Sequence, residues 1–359
     1  MGKMRHIGFM GPIRPMGLIG RMGLIRPMKL IGRMGLMGLI GLMGLMGCES
    51  SHKPAASSHV TTDSAPYELL LIADKDWLKT ADGMVVMEIL NSSILGLPQQ
   101  ESNFKIININ PAAFGTTFQG FANIIQVDIS SQYTKSGFKV AHDLYAHPQT
   151  MVHLTASDSK AMVDLFMKRG QQIIDMFVDA ELQRERANLK RSYSDKVRQQ
   201  VKQQFGCDIY APKEINAVKP GKDFFWASSN QIDNRLNICV YTYPYVPEEG
   251  LSRTHFIAIR DSFMRENIKG ESANQYMTTN PEFVFTRTIT FEGRHVLEAR
   301  GLWNMKNDMM GGPFVSYSQV DSLHNRIIVA EGFVYAPDKK KRPLIRRLEA
   351  AIQTLELPH

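Results

Sequence analysis

The chain has 359 residues, 43% hydrophobic and 21% charged, which excludes a disordered protein and leaves room for one large or two medium domains. Its formal charge of +7 invites an acidic partner such as nucleic acid. Residues 1–47, however, hold seven basic side chains and no acidic one, so from Cys48 onward 35 basic residues meet 35 acidic ones and the case for nucleic acid disappears.

In the leader, methionines recur every six residues from Met4 to Met34, a period too short for a solenoid unit of roughly 20 residues or more. After Arg33 the charges stop, and "MGLMGLIGLMGLMG" follows as an uncharged run. A basic start, an apolar run and a small residue before a cut make a secretory signal over 1–47. Met28 opens a complete signal on its own, "MKLIGR" plus the apolar run, and is a candidate start. The run ends in Leu45-Met46-Gly47-Cys48, which resembles the lipobox of bacterial lipoproteins. That resemblance implies cleavage between Gly47 and Cys48, lipid on the Cys48 thiol, and a membrane partner through that lipid. Several acyl chains hold a protein firmly where one holds it marginally. Glu49 stands where Asp would signal retention at the inner membrane, so the expected address is the cell envelope, at the outer membrane.

Residues 48–66 are the lipidated cysteine and a polar Ser-, Thr- and Pro-rich tether, with a reach on the order of 20–25 Å. Tyr67 then opens the body with "YELLLIAD", a buried-strand pattern. A helix is expected over "DWLKTADGMVVMEILNSSILG", closing near Gly96. "FKIININ" and "ANIIQVDIS" are further strands, separated by a helical start at Pro111. "GFKVAHDLYA" and "QTMVHLTAS" pair as a hairpin around His147-Pro148. A long helix follows, capped by Ser157 or Asp158 and carrying Met162, Phe166, Ile173, Met176, Phe177 and Ala180 at helical spacing. Leu189, Tyr193, Val197, Val201 and Phe205 continue at intervals of four until Gly206 stops them. The basic residues around that stripe are interleaved with Glu181, Glu185 and Asp195, which predicts a solvated face.

Beyond Gly206 the pattern turns to β: "CDIYAPK", "DFFWASSN" and "LNICVYTYPY" read as strands. "THFIAIRDSFMRENI" is a helix. Four strands follow, the first two turning at Glu292-Gly293, and "PLIRRLEAAIQTLEL" closes as a helix. The expected class is α+β, with an α/β layer and long helices at 67–206 and a mostly antiparallel sheet packed with helices at 207–359.

The body shows no strong catalytic or phosphate-binding motif, and nothing in it calls for a cofactor or a metal. Cys207 and Cys239 are too few for a four-cysteine zinc site, and buried free thiols are the simpler reading than a disulfide. His142, His147 and His153 do not converge on one strand face. Ser157 and Lys160 fit the S-x-x-K pattern of serine acyl-enzymes. The K-T-G-like Lys135-Ser136-Gly137 lies in reversed order, however, and a helix cap explains Ser157 more economically. The segment "ARGLWNMKNDMMGGPF" offers apolar anchors beside donors, so Arg300, Trp303, Asn304, Asn307 and Asp308 are candidate ligand contacts.

The strings "RGLW", "NDMMGGPF", "EGFVYAP" and "KKRPLIRRLEAAIQTLEL" resemble an uncharacterised family of bacterial envelope lipoproteins, a domain of unknown function, over most of 67–359. The resemblance implies an envelope address and no site residues. The expected function is a membrane-tethered, non-enzymatic binding or assembly role with an envelope protein as partner. The alternatives are an envelope hydrolase using Ser157 and Lys160, or a small-ligand carrier with its pocket at Trp303.

Overall fold

A computed structural model describes residues 60–247 and 251–358. The leader, Gly47, Cys48 and the tether up to residue 59 lie outside the described residues.

The body begins earlier than Tyr67. Strand β1 (Val60–Thr61) pairs in parallel with β6 (Ala146–His147), and Asp63 N–H donates to the Gly120 carbonyl. Residues 60–66 are therefore held by backbone hydrogen bonds, which their polar composition does not reveal.

Next come β2 (Glu68–Ile72), α1 (Ala81–Leu90), β3 (Lys105–Ile109), a short α2 (Thr116–Gln119), β4 (Asn123–Ile129), β5 (Gly137–His142) and β7 (Thr150–Ala156). They form a five-stranded sheet in the order β3-β2-β4-β7-β5, parallel except for the β5 edge. Helix α1 stops at Leu90, short of Gly96. The Ser93–Ser102 bridge claims the segment that follows.

Helix α3 (Ser159–Arg191) is 33 residues long, roughly 50 Å. Asp158 caps it, accepting from Ala161 N–H at 2.9 Å. The helical stripe does not run through to Phe205. The chain breaks at Ser192, and Ser194 caps a separate α4 (Asp195–Phe205), which Gly206 ends in the left-handed conformation.

The second half consists of β8 (Ile215–Gly221), β9 (Phe224–Ser229), β10 (Arg235–Pro244), α5 (Arg253–Asn267), β11 (Met277–Phe291), β12 (Arg294–Met305), β13 (Gly311–Asp321), β14 (Arg326–Tyr335) and α6 (Arg342–Ile352). The strands build one antiparallel sheet in the order β11-β12-β13-β14-β10-β9-β8. The class is α+β, as composition and pattern lead one to expect. β8 carries too little apolar alternation to announce itself. "CDIYAPK" is no strand, because its backbone makes only single bridges, Asp208 to Glu356 and Tyr193 to Pro212.

One hydrophobic core joins both halves: Leu69, Leu71, Phe166, Ile173 and Phe177 pack in a continuous cluster with Val240, Val315, Ile328, Leu348 and Ile352. The α3 and α6 helices meet inside it. A second cluster fills the other face of the large sheet beneath α5. In it the Arg260 guanidinium donates through Nε and Nη2 to the Glu331 carboxylate at 2.8–3.1 Å, with Nη1 on the Thr279 hydroxyl and the Phe314 ring 4.1 Å away. Both members are completely buried. Burial pushes the Glu331 carboxyl up against the pull of Arg260. Cys239 lies opposite Glu331 on β10, and burial raises its thiol well above the ordinary value. Burial also pushes the Cys207 thiol up to about 12. Both cysteines are free.

A buried pair of this kind is costly to break and cheap to replace whole. Arg260→Met should therefore lower unfolding free energy in urea by about 3–5 kcal/mol. The double variant Arg260→Met, Glu331→Leu should recover most or all of that loss. A single variant no more harmful than a surface substitution would show that water reaches the pair.

Candidate functional site

Even-numbered residues of β12 project Val296, Glu298 and Arg300 toward α3 and α6, while odd-numbered ones project Leu297, Ala299 and Trp303 toward α5. Opposite β12, the register sets Phe285 against Arg300, Arg287 against Glu298 and Ile289 against Val296. The odd residues of β11 after its bulge therefore share the α3-facing side. Between them and α3 lies a cleft of about 840 Å³. Its walls are Gln171, Asp175, Asp179 and Gln183 of α3 and residues 284–287 and 289–291 of β11. Its floor includes Glu298, Arg300, Tyr317, Arg346, Glu349 and Gln353.

The floor is a chain of alternating charges. Arg287 Nε donates to Glu298 at 2.9 Å, Arg300 bridges Glu298 and Glu349, and Arg346 Nη1 donates to the second oxygen of Glu349 at 2.8 Å. Arg346 Nη2 continues to Asn103 Oδ1 at 2.6 Å, reaching the segment that leads into β3. Burial works to raise the Glu349 carboxyl, but Arg300 and Arg346 outweigh it and hold it below the ordinary value. Beside the chain, Gln353 donates to the Tyr317 hydroxyl at 2.8 Å. Burial, and then the neighbouring Asp175, raise the Asp179 carboxyl. Arg346 is 95% buried, yet its Nε has no hydrogen-bond partner.

Of the residues picked out as ligand contacts, only Arg300 reaches this cleft. The segment is no open loop but a β-hairpin, β12 turning into β13, and it scatters the others. Trp303 is 2% exposed, donates to the Val334 carbonyl at 3.2 Å and packs edge-on against Phe333. Gly312 permits this, because a Cβ there would lie 2.1 Å from the Val334 oxygen and 3.1 Å from the indole nitrogen. Trp303 is thus a core residue and offers no carrier pocket. Asn304 lies exposed near the end of β12. Asn307 and Asp308 shape the turn, Asn307 at positive φ donating to the Asn274 carbonyl and Asp308 accepting from Met309 and Met310 N–H.

Ser157 donates its hydroxyl to Asp158 at 3.0 Å, and Lys160 is exposed one turn on. Both stand at the start of α3, with Ser157 roughly 20 Å along the helix from Gln171. The three histidines stay apart: His147 faces Asp143 at 2.9 Å, His142 faces Thr150 at 3.4 Å, and His153 lies 3.8 Å from Asp128. Among the described residues no group of three His, Cys, Asp or Glu side chains could hold a metal ion.

The basic stretch of α3 and α4 is solvated at Lys190, Arg191, Lys196 and Lys202, whereas Arg184, Arg186 and Arg198 are partly buried and Glu181 is inside. Glu181 is 5% exposed and accepts from Tyr67 N–H and Asn123 Nδ2 beside Arg184. Arg186 donates to Gln353, Lys190 pairs with Glu356, and Arg198 and Lys202 share Asp208. The sequence hides this because each partner lies on a distant or separate element. No helix among the described residues is long and apolar enough to cross a membrane.

Two domains of unknown function match the chain in tandem: DUF8532 over residues 63–190 and DUF4837 over residues 194–354. No curated protein matches it. A crystal structure from Bacteroides thetaiotaomicron VPI-5482 is similar at 10% identity with a TM-score of 0.25 over 43% of this chain. The chain spans 45% of that neighbour's length.

The cleft floor makes a stability prediction with a pH signature. The Glu349 carboxyl lies below its ordinary value of 4.5, so its stabilising contribution is complete above that value and fades as pH falls through the lower, folded one. Glu349→Gln should destabilise the protein by several kcal/mol at pH 7 and flatten the loss of stability between neutral and acid pH. Urea titrations at pH 7, 4.5 and 3 would read this. Parallel pH curves for both proteins would remove Glu349 from the account.

Proposed function

We propose that the protein is a lipid-anchored component of the bacterial cell envelope whose body binds a ligand in the cleft between α3 and β11. Its role on this reading is binding or assembly, not catalysis. The observation that carries the binding reading is the cleft itself. A cavity of about 840 Å³ falls in the range of ligand sites, and in it the apolar Phe285, Ile289 and Phe291 of β11 face fixed charged and polar groups. Its guanidinium and carboxylate groups hold one another in place, so they orient a ligand without having to be reorganised by it. The anchor rests on Leu45-Met46-Gly47-Cys48 behind an uncharged apolar run, and the outer-membrane address rests on Glu49.

Two measurements test this. Cells fed an alkyne fatty acid should label the wild-type protein and not Cys48→Ser; an unlabelled wild type would end the anchor reading. A photo-crosslinking amino acid at Gln183, on the cleft wall, should capture a discrete adduct in cells. The same group at exposed Met167 or Leu323 should not. Adducts that ignore position would end the cleft reading.

A further inference from the structure

The cleft follows the open edge of a sheet. β11 is the terminal strand of the seven, and among the described residues no strand pairs with its outer side. Successive residues of a strand point to opposite faces, so a cavity lying over one face touches every second side chain. This one touches both sets. Phe285, Arg287, Ile289 and Phe291 line it from the α3-facing side, and Val284, Thr286 and Thr290 line it as well. Contact with both sets, on a terminal strand that no described strand pairs on its outer side, brings the cavity to the edge where unpaired N–H and C=O groups project.

The limit of that open edge is marked. Arg253, at the start of α5, donates Nη2 to the Pro281 carbonyl at 2.6 Å and Nε to the Val284 carbonyl at 3.3 Å. It thereby occupies acceptors at the bulge between Asn280 and Phe285. From Phe285 to Phe291 the edge is regular, seven residues or roughly 23 Å long. Across the cleft stand Asp175 and Asp179 of α3. On the floor, the Arg346 Nε is a buried donor without an acceptor.

Building on the cleft-binding reading, we propose that an extended segment of a partner polypeptide lies in this cleft and hydrogen-bonds to the β11 edge as an eighth strand of the sheet, with a basic side chain set against Asp175 and Asp179. Strand addition supplies main-chain hydrogen bonds that do not depend on sequence, while alternate side chains give selectivity. Here one set of partner side chains would meet α3, where the two neighbouring carboxylates favour a cation.

The test uses the full-length lipidated protein in detergent micelles and a displayed library of random eight-residue peptides. Selected peptides should be enriched in Lys or Arg, and Asp179→Asn should weaken them severalfold. Each selected peptide is then made with backbone N-methyl groups at its odd or at its even positions. A strand pairs through the N–H groups of every second residue, so one set should cost at least about tenfold in affinity and the other little. If both methylated sets bind equally well, side chains alone carry recognition, and strand addition falls while cleft binding stands. If no peptide is selected although Gln183 still crosslinks in cells, the occupant is not an extended peptide. Concentration-dependent dimers with slowed amide exchange at residues 285–291 would assign the edge to a second copy of this chain and overturn the proposal.

Discussion

Glu349 accepts from Arg300 of β12 with one oxygen and from Arg346 of its own helix with the other, and Arg346 passes the connection to Asn103. This single carboxylate therefore joins the antiparallel sheet, the last helix and the entry to the parallel sheet. Without it Arg346 would keep no carboxylate partner and Arg300 only Glu298, and a buried charge must be matched by an opposite one within hydrogen-bonding reach. The demand for neutrality also fixes direction. Glu298 must face the same side as Arg300, which sets the parity of β12 and, through the register, that of β11. The rim of the cleft follows from that parity.

Much of the architecture was legible because it is written locally. Runs of aromatic and β-branched residues mark β9 to β14, Glu292-Gly293 marks a hairpin turn, Gly206 marks a helix end, and Leu348 and Ala351 mark the buried side of α6. The site was less legible, for a physical reason. Glu181, Arg300, Arg346 and Glu349 look like surface residues in any local window, and only partners brought close by folding allow them to be buried. Arg300 and Glu349 are 49 positions apart, and Tyr67 and Glu181 are 114. The Met- and Gly-rich segment after Trp303 misleads in the opposite sense. Its glycines suggest an open loop, but Gly312 is there to let a tryptophan pack against backbone. The cleft lies between α3 and β11, which no sequence window spans.

The two matched regions meet at the short break between α3 and α4, yet the hydrophobic core ignores that boundary. Side chains on α3 pack with those of β13, β14 and α6, and the cleft takes residues from both regions. Any ligand held there touches both regions at once, so its binding energy also acts to keep them together.

The placement of α6 has a consequence for synthesis. Helix α3 is complete at Arg191, but the helix that packs against it ends at Ile352. At roughly 5–20 residues per second, on the order of ten to thirty seconds separate the two events. Throughout that interval the part of α3 that α6 will cover stays open, although Phe177 can already pack edge-on against Phe104 of the first half. The core shared by both halves is therefore completed only by the last helix to be made.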